Sequence, residues 1–195
     1  MPNIRILSYA LLVAALSFPA AAQDTRTIID DAGRSVEIPA NPQRIVSLHD
    51  LYFSVPLIEL GVLPAASHGR MVVEGQPFIR SSKMMTGVDF DNSPIAFLGT
   101  GTDIDPEIIA AVEPDLIILS ANQKPETYSQ IAPTVVISFQ KLSLTEVANR
   151  VGDVLGRTGQ AAELLAAYQA KTADIKQKHA AVLGRNTFSF VQVAS

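Results

Sequence analysis

The sequence has 195 residues, of which 48% are hydrophobic and 17% charged, and its formal net charge is −4. These values are typical of a globular chain with room for one domain or slightly more, and they argue against a disordered chain and against a nucleic-acid partner. The sequence contains no cysteine, which excludes disulfides, thiolate metal sites, thiol catalysis and lipid modification of an N-terminal cysteine.

The first 22 residues have the pattern of a secretory signal peptide. Arg5 provides a positive start, residues 6–18 are apolar, and residues 20–22 are alanines that precede Gln23. The apolar segment is too short to span a bilayer comfortably, so a cleaved leader is favoured over a retained membrane anchor. We therefore expect an exported chain that is not a lipoprotein, with a net charge of −5 once Arg5 is removed.

A hairpin is predicted at the start of the mature chain. Residues 27–30 and 35–38 are two β-prone runs on either side of a short turn that contains Gly33.

A strand, a loop and a helix are predicted next. Residues 44–48 predict a short buried strand, and residues 49–53 form a polar and aromatic loop at its carboxyl end. Ser54 is the expected N-cap of a helix that Gly61 ends. In open α/β sheets, ligands bind at this edge, so the loop is a candidate site.

The middle of the chain alternates between strands and helices. Residues 62–67 predict a second parallel strand, whereas residues 71–103 have no clean period and predict a long functional loop with short strands. Asp105 is the expected cap of a helix over residues 106–112. Further strands are predicted at 116–119 and 134–137, and further helices at 126–131 and 144–155.

A long helix over residues 160–182 and an alternating strand over residues 187–193 close the sequence. The order of elements predicts a three-layer α/β domain with a mostly parallel sheet, followed by a helical arm and one strand beyond it. The strand over residues 187–193 would open a new α/β unit, and no further element follows it. This pattern predicts that the sequence is truncated. We interpret Arg157 and Lys171 as solvated surface charges.

Four segments resemble the periplasmic substrate-binding proteins of ABC importers for ferric siderophores, haem and cobalamin. They read T-I-I-D-D-A-G-R-S-V-E-I-P with N-P-Q-R-I-V-S-L, then E-L-G-V-L-P-A-A-S-H, and I-D-P-E-I-I-A-A-V-E-P-D-L-I-I-L-S. The long helix predicted over residues 160–182 completes the resemblance. The resemblance implies two α/β lobes joined by one long backbone helix, with the ligand between the lobes. It divides the chain into a signal peptide (1–22), a first lobe (23–159), a backbone helix (160–183) and the start of a second lobe (184–195).

The resemblance also implies ligand contacts on loops at the carboxyl ends of the strands. The candidate ligand-binding residues are His49, Tyr52, His68, Arg70, Arg80 and Asn122. The alternative for each histidine is a hydrogen bond that holds its own loop, and for each arginine a structural or solvated role. In related proteins a glutamate at the position of Glu107 docks on the permease, and the alternative is a carboxylate that stabilises the helix N-terminus.

One departure from the family concerns hydroxamate ligands. Hydroxamate-binding relatives carry an arginine just before the helix that starts here at Pro106, and an aromatic residue after the following strand. This sequence has Gly101 or Thr102 at the first place and Gln123 at the second. The departure argues against a hydroxamate ligand and shifts anion binding to Arg70 and Arg80, because guanidinium groups suit anionic oxygens.

The leading function is therefore capture of a ferric siderophore and its delivery to an inner-membrane ABC permease, by a monomer without a cofactor. Haem or cobalamin binding is the near alternative. A free metal-ion receptor is disfavoured, since the histidines have no short ligand spacing. An enzyme is disfavoured as well, because no nucleophile elbow, phosphate loop or metal-hydrolase motif is present and no sequence pattern places a base beside Ser47 or Ser120.

Overall fold

The computed structural model describes residues 24–72, 75–101, 104–187 and 189. The signal peptide expected at residues 1–22 lies outside these residues, and so does most of the strand expected at residues 187–193. Within the described ranges, no helix is long and apolar enough to cross a membrane.

A parallel sheet forms the centre of the fold. The strands are, in chain order, β1 (Thr25–Ile29), β2 (Ser35–Pro39), β3 (Ile45–Ser47), β4 (Ala66–Ser67), β5 (Arg70–Met71), β6 (Pro77–Phe78), β7 (Ala96–Phe97), β8 (Leu116–Ser120) and β9 (Thr134–Ile137). The central sheet has the order β7-β4-β3-β8-β9, and all its neighbouring strands are parallel. β1 pairs with β2 and β5 with β6 in antiparallel hairpins. The predicted hairpin and parallel strands are thus confirmed.

Short helices connect these strands, and one long helix follows them. The helices are α1 (Val55–Glu59), α2 (Ser82–Thr86), α3 (Pro106–Ala110), α4 (Leu144–Val154), α5 (Thr158–Lys178) and α6 (Ala180–Leu183). As expected, the side chain of Asp105 caps α3, and Gly61 adopts a left-handed conformation with φ of 75° after α1. The helix expected at residues 126–131 is only a 3₁₀ turn at Pro125–Thr127.

Alternate residues of the central strands face two helical layers. In β8, Leu116 and Ile118 contribute to one core, and Ile117 and Leu119 contribute to the other. The first core also holds buried residues of α1 and α4 and the start of α5, whereas the second holds Ile109 of α3. Because the sheet is covered on both faces, the strands are apolar throughout, as the sequence predicted for a three-layer α/β fold.

The β1–β2 hairpin covers the exposed edge of β9. Asp31 N–H donates to the Val136 carbonyl at 3.0 Å, and Val136 N–H donates to Asp30 Oδ2 at 3.2 Å. Arg34 extends this link, because it pairs with Asp30 at 2.6 Å and donates to the Thr134 carbonyl. An edge strand covered in this way has no free row of backbone groups to pair with another chain.

Two arginines satisfy carbonyl groups at helix ends. Arg26 donates to the carbonyls of Asp153 and Val154 at the end of α4, at 2.7 and 2.6 Å. Arg157 donates to the Leu60 carbonyl after α1 at 2.8 Å, so its interpretation as a purely solvated charge is wrong. Both arginines thus bind carbonyl groups at the C-terminal ends of helices, where a positive charge is favourable.

Helix α5 is packed only at its beginning. Ala161 is buried against α4, but Tyr168 and Ile175 are 60% and 48% exposed. From residue 166 to residue 178, every side chain except that of Thr172 is exposed. The predicted helix is therefore present, while most of its length has little cover from the described residues.

Candidate functional site

The loop after β3 is a single π-helical turn, Asp50–Ser54, that runs directly into α1. Backbone N–H groups of Phe53 and Ser54 both donate to the His49 carbonyl at 3.2 Å. The His49 side chain caps the turn, since its Nδ1 accepts a hydrogen bond from Tyr52 N–H at 3.1 Å. The sequence predicted an irregular loop here, and this turn replaces it.

Ser54 does not act as the N-cap that the sequence predicted. Its backbone is already helical and its side chain makes no capping hydrogen bond. Instead, its buried hydroxyl lies 2.7 Å from Ser47 Oγ on β3 and 2.6 Å from Ser67 Oγ on β4. The two outer hydroxyls also donate to the carbonyls of His49 and His68. This chain of hydroxyls fixes the two histidine-bearing segments relative to each other.

A fully buried carboxylate, Asp50, lies at the centre of the site. Arg80 donates to Asp50 Oδ1 through Nη2 at 2.6 Å and to Oδ2 through Nε at 2.8 Å. The backbone N–H of Arg80 adds a contact of 3.3 Å to Oδ2. This geometry is a bidentate, charge-assisted pair, the strongest arrangement available to arginine and a carboxylate.

Three more predicted residues surround the same carboxylate at longer distances. His49 Nδ1 and His68 Nδ1 each lie 3.7 Å from Asp50 Oδ1, and Arg70 Nε lies 3.9 Å from Oδ2. These distances are too long for good hydrogen bonds. His49, His68, Arg70 and Arg80, which the sequence distributes over three segments, therefore converge on one acidic residue.

The protonation states follow from burial and neighbouring charges. Burial by itself raises the pKa of Asp50, but His68 and Arg80 outweigh it and hold that pKa well below its usual range. Burial lowers the pKa of His49 to about 4, although the Asp50 carboxylate opposes this shift. The hydrogen bond with Asp50 raises the pKa of Arg80. At neutral pH the site thus holds an ionised Asp50, a charged Arg80 and a neutral His49.

Several nitrogen atoms at the site lack an acceptor. His68 Nδ1 and Arg70 Nε are buried and have no hydrogen-bond partner. His49 accepts through Nδ1, so the proton of its neutral ring is on Nε2, and the 3.4 Å contact from Nε2 to Arg80 Nη2 brings two donors together. The Arg70 side chain is 43% exposed. The partly exposed guanidinium of Arg70 is therefore a group at this site that can donate hydrogen bonds to an anionic oxygen.

Aromatic rings lie beside the charged cluster. Tyr52 and Phe139 stack with centroids 4.3 Å apart and planes inclined by 13°. His49 is tilted against both rings, at 5.0 Å from Tyr52 and 4.6 Å from Phe139. Phe139 follows β9 at the same edge of the sheet, and the sequence reasoning did not identify it.

The other two predicted residues lie apart from the cluster. Asn122 follows β8 and helps to line a cavity of about 620 Å³ together with Asp105 and Lys124. Glu107 is exposed in the first turn of α3 and makes no ion pair with the described residues. Among those residues, no group of three or more histidines and carboxylates is placed to hold a metal ion.

Residues 77–193 match the sequence model described as periplasmic binding protein, which is more than half of the chain. The ferric enterobactin-binding periplasmic protein FepB of Escherichia coli is 28% identical over 186 residues, a match that covers 89% of this chain and 55% of FepB. The probable siderophore-binding lipoprotein YfiY of Bacillus subtilis is 30% identical over 183 residues, covering 89% of this chain and 50% of YfiY.

Solved structures give a similar result. The crystal structure of Staphylococcus aureus SirA complexed with staphyloferrin B is 26% identical, with a TM-score of 0.62, and the match covers 80% of this chain and 52% of SirA. The chain thus spans about half the length of the relatives that it matches.

Proposed function

Since this chain belongs to the periplasmic binding protein family, we propose that it captures a ferric siderophore in the periplasm and delivers it to an ABC permease of the inner membrane. FepB and YfiY, which it resembles, are named for siderophore binding. We further propose a cleaved leader in place of a lipid anchor, because the sequence has no cysteine to modify. A monomer is the proposed state, with no resident cofactor.

The observation that carries this proposal is the partly exposed guanidinium of Arg70 beside the buried Asp50 cluster. The buried His68 Nδ1 and Arg70 Nε have no acceptor, and the guanidinium of Arg70 reaches the surface. Ferric chelates present negatively charged oxygens, and a planar guanidinium binds such oxygens with good geometry. The stacked rings of Tyr52 and Phe139 beside these donors suit the flat groups of a chelator.

We assign the residues roles on this basis. His68 and Arg70 bind the anionic oxygens, His49 and Tyr52 form the adjoining wall, and Arg80 contributes through its pair with Asp50. Asn122 lies at the end of the neighbouring strand β8 and contacts the far side of a larger ligand. The lobe of residues 23–159 is proposed to supply one wall of a cleft, and residues 160–183 to connect it to a second lobe that begins at residue 184.

We infer binding and not catalysis at this edge of the sheet. The hydroxyls of Ser47 and Ser54 contact each other, and that of Ser47 also donates to a backbone carbonyl. A nucleophilic serine needs a histidine within hydrogen-bond reach of its hydroxyl, and the described partners of these hydroxyls are not histidine rings.

The test is calorimetric titration of the purified chain with a ferric tris-catecholate, ferric citrate, a ferric tris-hydroxamate, haem and cobalamin. We expect saturable 1:1 binding of at least one iron chelate. Arg70→Gln should weaken that binding at least about tenfold, whereas Lys171→Gln on the exposed part of α5 should not change it. Binding of haem or cobalamin alone would overturn the siderophore assignment, and stoichiometric binding of free Zn²⁺ or Mn²⁺ alone would favour a metal-ion receptor.

A further inference from the structure

Asp50 is the common counterion of the whole cationic cluster. Among the described residues, the ion pairs of Arg70, Arg80, His49 and His68 all go to its carboxylate. Its side chain is fully buried, so this carboxylate contacts neither solvent nor a ligand that arrives from solvent. Without contact with the ligand, the charge of this carboxylate acts on it through space and through the cations that it neutralises.

Apart from its two histidines, the cluster contains three charged side chains. The guanidinium groups of Arg70 and Arg80 contribute two positive charges and the Asp50 carboxylate one negative charge, which leaves a net charge of +1. His49 adds none at neutral pH, since its pKa is about 4. The neighbouring buried carboxylate of Asp89 accepts hydrogen bonds from the backbone N–H groups of Ile79 and Phe90, and among the described residues it makes no ion pair with the cluster.

The single positive charge is not shared equally between the two arginines. Arg80 uses its Nε and one Nη atom on Asp50, in a bidentate pair. Arg70 is 3.9 Å from the carboxylate, makes no hydrogen bond with it through Nε, and has the more exposed side chain, 43% against 32%. The guanidinium of Arg70 is therefore available to a ligand, whereas that of Arg80 is already paired with Asp50.

We propose that Asp50 determines which ligand charge this site accepts, and that it disfavours highly charged chelates relative to chelates of low negative charge. The inference rests on the proposed function. A ferric tris-catecholate carries three negative charges and a ferric tris-hydroxamate none, because each catecholate brings two charges and each hydroxamate one to Fe³⁺. The buried carboxylate subtracts one positive charge close to the ligand, where the local dielectric constant is low, so its effect depends on the ligand's charge.

The test compares the Kd values of the full chain for these two chelates before and after Asp50→Asn. Asparagine keeps the shape of the side chain and removes its charge, so the net charge of the cluster becomes +2. We expect the ratio of the two Kd values to shift by at least about tenfold in favour of the tris-catecholate. Asp24→Asn, which removes an equal charge from an exposed position at the start of β1, should leave the ratio unchanged.

A double variant separates charge from folding. Asp50→Asn with Arg80→Gln removes one charge of each sign, so the cluster returns to +1 and the ratio should return to the wild-type value. The circular dichroism spectrum of each variant shows whether the fold is kept. An unchanged ratio in a folded Asp50→Asn variant, or an equal loss of affinity for both chelates, would overturn the inference while the proposed function stands. Failure of the wild-type chain to bind any iron chelate would instead overturn the proposed function and this inference with it.

Discussion

Arg80 donates two side-chain hydrogen bonds to the buried carboxylate of Asp50, at 2.6 Å from Nη2 and 2.8 Å from Nε. Asp50 begins the helical turn that follows β3, whereas Arg80 follows β6. The pair therefore fixes the segment after β6 against the end of the central sheet. His49 and His68 flank the same carboxylate, each with its Nδ1 atom 3.7 Å from Asp50 Oδ1.

Arg80→Ala should destabilise the chain by about 3 kcal/mol, because it leaves a buried carboxylate without its principal partner. The free energy of unfolding, measured by urea denaturation at pH 7, tests this. The matched control is Lys83→Ala, which removes the cation of an exposed pair with Asp91 and should cost less than about 1 kcal/mol. Equal losses of unfolding free energy in the two variants would show that the Asp50–Arg80 pair contributes no more to stability than an exposed ion pair.

His49 should make stability depend on pH. Its pKa is lowered from 6.5 to about 4 in the folded chain, chiefly by burial. Between these values the unfolded chain binds a proton that the folded chain does not, so the free energy of unfolding falls as pH decreases from 6.5 to 4. The slope is at most about 1.4 kcal/mol per pH unit. Urea midpoints measured from pH 7 to pH 4.5 test this.

The matched variant is His49→Asn, since asparagine can still accept the hydrogen bond from Tyr52 N–H as a cap. In this variant the free energy of unfolding should depend less on pH between pH 6.5 and 4.5. Asp50 also has a lowered pKa, but its contribution is present above the ordinary carboxyl pKa of about 4 and is lost only as pH falls below it. A slope that persists between pH 6.5 and 4.5 in His49→Asn would assign the effect to another group.

The parallel sheet and the three-layer architecture could be predicted because they depend on local patterns. The apolar run at 116–119 and the alternation of strands and helices require a parallel sheet with both faces covered. The π-helical turn could not be predicted in the same way. It depends on the His49 side chain as a cap and on the contact of Ser54 with Ser47 and Ser67, which are visible only in three dimensions.

The sequence identifies the basic residues of the candidate site as candidates, but it does not identify the acidic residue, Asp50. His49, His68, Arg70 and Arg80 were singled out for the ligand chemistry that they offer, whereas Asp50 has the sequence context of a solvated loop carboxylate. Its complete burial follows from the convergence of three segments. One signal was available, since basic side chains gathered at one sheet edge require a counterion, and Asp50 is the acid nearest to His49 in the sequence.

The attachment of α5 to the lobe should depend on Gly152 of α4. A Cβ atom at this position would lie 2.6 Å from the Cβ of Ala161. Gly152→Ala should therefore cost about 1–3 kcal/mol through overpacking, measured by urea denaturation. Gly159→Ala is the control, since nothing lies within 4 Å of a Cβ there, and it should be neutral or stabilise by up to about 1 kcal/mol. Adding Ala161→Gly to Gly152→Ala should restore much of the loss, and failure to do so would contradict the contact.

Glu107 should affect delivery of the ligand and not its capture. It is exposed in the first turn of α3, distant in sequence from the Asp50 cluster, and its carboxylate is free to pair with a cation of a partner. Glu107→Lys should reduce chelate uptake by cells that depend on this chain at least about tenfold, with an unchanged Kd for the chelate. Glu126→Lys makes the same charge change at another exposed position and should leave uptake near the wild-type level. If Glu107→Lys lowered affinity for the chelate instead, or if both variants impaired uptake equally, the carboxylate would not be a specific docking contact.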